Sequence, residues 1–243
     1  MMSYFFNLIL IRPLFNLLIL LYNTLAFHDI GLAIILITVL MRLALLPLSN
    51  KAIKSQKALQ DLQPQIKAIQ EKYKDNKEEQ TKQVMDFYKK NEINPFSGCL
   101  PILVQLPILI ALYQVFLKGF DPGALSWLYS FVKNPGAINS VFLGFLNLAH
   151  ANKIMALLAG ALQFWQAKMI TPKNAPAGAP KSSDEYMAQA ISKQTLYFLP
   201  VLTVLISWRL PAGLTLYWAV TTLFTVFQQY AMLSSKKSST FSK

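Results

Sequence analysis

The sequence predicts an all-α, polytopic membrane protein: a five-span helical bundle with a cytoplasmic helical hairpin and an outer interfacial N-terminal helix. Three observations carry this reading. The 243 residues are 54% hydrophobic, with a mean hydropathy of +0.37, too apolar for a domain that must solvate its surface. Apolar runs at Ile30 to Leu48, Cys99 to Phe116, Ile154 to Ile170 and Gly213 to Met232 approach the roughly 20 residues a helix needs to cross the hydrocarbon layer. Lysines are segregated: Asn50 to Glu92 carries 10, Lys168 to Gln194 carries 4 and the tail carries 3, against 5 Lys or Arg on the opposite side. The positive-inside bias then places the three Lys-rich parts in the cytoplasm, the N-terminus outside and the C-terminus inside.

Each element follows in order. Residues 1–27 are apolar but interrupted by Arg12, Pro13 and Asn16, which favours an interfacial helix on the outer surface over a span. Residues 28–49 form the first span. In residues 50–93, Leu59, Leu62, Ile66, Ile69 and Tyr73 recur at helical spacing with Lys and Glu between them, one apolar seam on a helix. Pro64 is expected to kink or restart that arm. A polar break at Asp75 and Asn76 precedes a second stretch bearing Val84, Phe87 and Tyr88, so the segment reads as an antiparallel cytoplasmic hairpin. Residues 94–117 are the second span. Residues 118–152 form an outer loop with turn signals at Asp121, Pro122, Gly123, Asn134, Pro135 and Gly136. Residues 153–170 are the third span, and 171–194 a cytoplasmic loop. Residues 195–208, short and containing Pro200, must still cross, because the link Arg209 to Ala212 allows only a tight turn into the last span at 209–233. Residues 234–243 are a cytoplasmic tail.

A net charge of +12 could suggest nucleic acid, but the lysines are not gathered on one soluble face with interleaved aromatics, so sequence-specific nucleic-acid binding is not expected. The single cysteine, Cys99, has no second thiol for a disulfide or a metal motif. HExxH and GxSxG are missing, and His28 and His150 stand near outer loops as interfacial polar residues. Neither an enzymatic activity nor a metal or other cofactor is expected. An ion-coupled transporter usually shows an intramembrane acid and matching repeats; the apolar runs carry no Asp or Glu.

Arg42 is the informative exception. It lies within the first apolar run, where a charge costs a few kcal/mol or more and usually faces water or a functional path. Thr215, Trp218, Thr222, Thr225 and Gln229 stack on one face of the last span, and Thr38, Gln105, Gln163, Gln166, Thr203 and Ser207 add polar groups on the others. Such groups often serve as helix glue. If the faces converge, they instead enclose a wet groove open to the cytoplasm, which best resolves an unpaired guanidinium.

MRLALLPLSNKAIKSQKALQDLQPQIKAIQEKYKD (Met41 to Asp75), NPFSGCLPILVQLPILIALY (Asn94 to Tyr113) and LPAGLTLYW (Leu210 to Trp218) resemble the YidC family of membrane protein insertases, from about Leu14 to Tyr230. The resemblance implies an energy-independent insertase whose groove takes up hydrophilic parts of short nascent membrane proteins. It implies that Arg42 is the groove arginine, that Gln105 and Trp218 line the groove, and that the hairpin, with Lys54, Lys57, Lys67 and Lys72, receives clients. Further partners it implies are the Sec translocon, the ribosome and membrane lipids. The chain looks like the short bacterial form, without a large extracytoplasmic domain before the first core span and without a lipobox cysteine. Lys236, Lys237 and Lys243 give a tail too lightly charged to dock a ribosome by itself. A small transporter or channel, or an assembly factor without insertase activity, are the competing expectations.

Overall fold

The structure is a computed structural model and describes residues 6–92, 100–119, 122–170 and 194–239. The start of the expected second span at 94–99, residues 171–193 of the expected cytoplasmic loop and the end of the tail lie outside these residues. The fold is mostly helical. A π-helical turn, Asn7–Ile11, leads into α1 (Arg12–Thr24). Pro13 sits in the first turn of α1, where its missing N–H costs little, so helix continues through it. Asn7–Thr24 is long and apolar enough to cross a membrane by length and composition, and Ile11, Phe15, Leu18, Ile19 and Tyr22 are buried.

The residues that interrupt this apolar stretch hold it in place. Arg12 Nε and Asn16 Nδ2 both donate to the Trp127 carbonyl, at 3.1 and 3.2 Å, while Asn16 Oδ1 accepts from Tyr129 N–H at 2.6 Å. The Arg12 guanidinium also lies 4.9 Å from the Tyr129 ring centroid. Asn23 donates to Lys133 O at 2.6 Å, and the Tyr22 hydroxyl accepts from Asn139 N–H at 3.2 Å. Helix α1 is thereby strapped to the segment from Trp127 to Asn139.

Asp29 caps α2 (Ile30–Ala44): its Oδ1 accepts from Gly31 and Leu32 N–H, at 2.8 and 3.0 Å, and its Oδ2 from Leu143 N–H at 2.7 Å. The apolar run Ile30 to Leu48 is not one helix. It breaks at Leu45, and α3 (Leu46–Lys72) leaves at 67° to α2. Pro47 explains the break, because it cannot donate to the carbonyl four residues back and its ring clashes there. Pro64, by contrast, sits inside α3 without restarting it. Helix α4 (Lys77–Lys90) begins at the Asn76 cap, whose side chain accepts from Glu79 N–H at 3.1 Å. Its Glu78 and Glu79 in the first turn and Lys89 and Lys90 in the last suit the helix dipole. Helix α4 packs on α3, with Gln80 donating to Gln70 O at 2.6 Å, and Ile66 of α3 is buried.

Helix α5 (Leu100–Gly119) is followed by a 3-10 turn, Pro122–Trp127. A small antiparallel hairpin then pairs Val141–Phe142 with Leu146–Asn147, a departure from the all-α expectation. Phe142 lies where a Cβ on Gly31 would be, so glycine lets the hairpin close over the start of α2. Helix α6 (Lys153–Ile170) packs against α7 (Leu199–Ser207), itself preceded by a π-helical turn, Gln194–Phe198. Pro200 stands in the first turn of α7. Helix α8 (Ala212–Ser239) packs on α6 and α2 and continues past Leu233 into the segment expected to be a tail. Ile34, Ile37, Leu112, Val115, Phe116, Leu148 and Leu214 join the core. Leu106 and Ile110 of α5, Leu157 of α6, Val201 and Leu205 of α7, and Phe227 and Tyr230 of α8 remain exposed, the apolar exterior that lipid requires.

Candidate functional site

Helices α2 and α8 set the frame of the site. Ile34 lies beside Gly213, Arg42 is within electrostatic reach of Tyr217, and Ser49 and Asn50 meet Gln228. Residue numbers rise together along both helices, so they run in the same direction. One end is fastened by backbone: Ala212 N–H donates to His150 O at 2.9 Å and Gly213 N–H to Leu148 O at 3.0 Å. At the other end α3 and α4 leave the bundle.

Arg42 occupies the last turn of α2 and is part-buried. The helix break at Leu45 therefore has an electrostatic use. It places the guanidinium at the negative end of a helix dipole, worth about 0.3 to 2 kcal/mol to a cation, against a cost of at least about 2.5 kcal/mol for a charge at membrane depth. The dipole offsets part of that cost. The ion pairs formed among the described residues, Lys57 with Asp61 at 2.7 Å, Lys74 with Glu71 at 3.7 Å and Lys82 with Glu79 at 4.0 Å, all lie in α3, α4 or the turn between them. No described carboxylate pairs with Arg42.

Tyr217 is the neighbour that sequence reading passed over. Its hydroxyl accepts a hydrogen bond from the Gln105 side-chain amide, so α8 links Arg42 on α2 to Gln105 on α5. The signal was available: Tyr217, Thr221 and Gln228 are spaced 4 and 7 apart and share a face of α8. That face lies about 100° around the helix from the stripe that was singled out. Gln228 completes it, donating to Ser49 Oγ and Asn50 Oδ1, each at 2.7 Å.

The expected groove residues divide accordingly. Arg42 and Gln105 converge on Tyr217, with half-buried Trp218 next along the chain. Thr38 is fully buried and its hydroxyl donates to Ile34 O at 2.6 Å, leaving it turned into its own helix. Thr225 likewise donates to Thr221 O at 2.9 Å. Thr215, Thr222 and Gln229 are buried, and Thr215 Oγ1, Gln229 Oε1 and Ser207 Oγ find no hydrogen-bond partner among the described residues. Buried polar atoms of this kind ask for water or a visiting polar group. On the hairpin, Lys54 is exposed, Lys57 pairs with Asp61, Lys67 is half-buried and Lys72 lies 5.3 Å from the Tyr73 ring centroid. No group of His, Cys, Asp and Glu among the described residues could hold a metal ion.

Comparison with known proteins bears on this arrangement. The family model described as 60Kd inner membrane protein matches residues 21–239. The membrane protein insertase YidC of Fusobacterium nucleatum is 34% identical over 84% of this chain and 86% of its own length. That of Oceanobacillus iheyensis is 36% identical over 82% of this chain and 72% of its own. That of Pelobacter propionicus is 33% identical over 82% of this chain but only 34% of its own length, so the chain spans about a third of this longer relative. A crystal structure of an active YidC insertase with its first transmembrane domain resolved aligns with a TM-score of 0.59 at 27% identity, covering 94% of this chain and 46% of that one. A family model that matches residues 21–239, together with relatives more than 30% identical over most of both chains, shows that the chain belongs to the YidC family of membrane protein insertases.

Proposed function

We propose that this protein is an insertase that moves short hydrophilic segments of nascent membrane proteins into the bilayer, through a polar groove open to the cytoplasm and to lipid. Five spans, with an outer N-terminus and a cytoplasmic C-terminus, orient it so that the hairpin of α3 and α4 receives clients on the cytoplasmic side. The observation that carries this reading is the Arg42, Tyr217 and Gln105 cluster, contributed by three helices and lacking a described carboxylate partner. A polar segment entering the bilayer must shed water, at several kcal/mol for each unpaired group. Donors and a cation part-way through shorten the dry distance it must travel.

Arg42 acts as an electrostatic lure, its field strengthened by low-dielectric walls. Tyr217 and Gln105 hold the polar surface around it, Trp218 borders it, and the backs of Thr215, Thr222 and Gln229 keep the adjoining helix face polar. Insertion is downhill into lipid, so nucleotide hydrolysis and covalent chemistry have no place in the mechanism. Nascent membrane proteins are the clients; the Sec translocon and the ribosome are candidate partners.

The test is reconstitution of the protein alone with a two-span client, scored by protease-protected insertion. Arg42→Lys retains much of the activity, whereas Arg42→Ala impairs clients with acidic translocated segments more than clients with neutral ones. Equal insertion of both by Arg42→Ala, with the bundle still folded, refutes the lure. Flux of small solutes without client insertion would make the protein a channel.

A further inference from the structure

The end of the bundle where α8 begins carries a second arrangement, apart from Arg42. Val204, Leu205, Ile206, Trp208 and Arg209 line a shallow recess where α7 ends. Its walls are apolar, and its rim is basic and aromatic. Lys153, at the start of α6, places its ammonium 5.5 Å from the Trp208 ring centroid, and Arg209 is exposed beside it in sequence. The bond from Ala212 N–H to His150 O holds the two chain turns together. The described acidic residues are Asp29, which is engaged by Gly31, Leu32 and Leu143, and those of α3, α4 and the turns that flank α4. Neither Lys153 nor Arg209 has a described carboxylate partner.

We propose that this recess is a binding site for one anionic phospholipid. Its phosphate sits between Arg209 and Lys153, its glycerol region against the Trp208 indole, and one acyl chain along Val204, Leu205 and Val201. Charge complementarity selects an anion, and the exposed apolar residues Val201 and Leu205 select a hydrocarbon tail, a pairing that a lipid supplies and a free phosphate does not. Tryptophan at a helix end belongs at headgroup level, which sets the depth of the site.

The test uses the full chain reconstituted in phosphatidylcholine vesicles that contain either phosphatidylglycerol or phosphatidylcholine brominated near the headgroup end of one acyl chain. Bromine quenches nearby tryptophan, and the Trp208 signal is isolated by subtracting Trp208→Phe. Two cations acting as juxtamembrane Lys and Arg do give roughly a thirty-fold preference, which corresponds to about 2 kcal/mol at 1.4 kcal/mol per factor of ten. Trp208 is expected to be quenched by the brominated anionic lipid at a far lower mole fraction than by the zwitterionic one. Lys153→Gln with Arg209→Gln abolishes the preference, while Lys153→Arg with Arg209→Lys retains it. Equal quenching by both lipids in the unaltered protein overturns the site, and this comparison needs no variant at the cations to fold. Loss of the preference on adding inorganic phosphate also overturns it, by making the ligand a free anion.

Discussion

Gln228→Leu should loosen the hairpin at its root without unfolding the bundle. Gln228 is buried on α8 and donates to Ser49 Oγ and Asn50 Oδ1, each at 2.7 Å, near the start of α3. Leucine approximates its volume and removes both donors. Side-chain hydrogen bonds between helices in membrane proteins average about 0.6 kcal/mol, so the pair contributes about 1.2 kcal/mol to holding α3 against α8. At about 1.4 kcal/mol per tenfold, the opening equilibrium of that joint rises roughly eightfold. The assay is amide hydrogen exchange followed by peptide mass analysis, comparing residues 51–60 with the middle of α2 and α8. The expected result is faster exchange confined to the root of α3, with the bundle unchanged. Thr225→Val is the control, since that hydroxyl bonds within its own helix. Unchanged exchange at 51–60, or equal acceleration throughout α8, refutes the idea that Gln228 fixes the hairpin to the bundle.

Asn16→Ala strands the Tyr129 N–H and removes a donor from the Trp127 carbonyl, at about 1 to 3 kcal/mol for a buried group left unpaired; a lowered Tm is expected, and an unchanged one refutes the strap. Gly160→Ala drives a Cβ into Val204, at about 1 to 3 kcal/mol for overpacking, and Gly160→Ala with Val204→Ala should recover part of the lost Tm. Failure of that rescue would place the cost elsewhere. Burial holds the Tyr88 phenol above its ordinary value, so its neutral form favours the fold. Its contribution is complete below the unfolded value of about 10 and is lost as pH rises through the folded one. A phenolate absorbance titration, taken as the difference from Tyr88→Phe, should show a midpoint above the ordinary tyrosine value; a midpoint at or below it refutes the burial.

Helical periodicity and lysine placement made the hairpin legible, because an apolar seam among lysines has few other uses. Arg42 was legible as a functional candidate because charge is scarce in apolar runs. Its dipole setting was not, since it depends on Pro47 ending α2 at Ala44, and composition alone read Ile30 to Leu48 as continuous. Tyr217 escaped for a related reason. A phenol counts as apolar in a hydropathy pattern, and its hydroxyl matters only once α2 and α5 bring Arg42 and Gln105 to it. Arg12 and Asn16 looked like defects in a helix, yet their partners at Trp127 and Tyr129 lie more than 110 residues away. The small strand pair at Val141 and Leu146 was illegible because two residues per strand carry no periodicity.

The two ends of α8 are fastened by unlike means. At its start, backbone amides of Ala212 and Gly213 bond to carbonyls of His150 and Leu148; near its other end, among the described residues, the Gln228 side chain bonds Ser49 and Asn50. Backbone bonds can be released only by displacing whole segments, whereas a side chain lets go by rotating. Under a load that pushes the helices apart, the assembly parts first at the hairpin end and behaves as a clothes-peg with a fixed spring. On the proposed function, such a device yields more readily to a client on the hairpin side than on the other, while the net direction of transfer comes from the client's own fall in free energy on entering lipid.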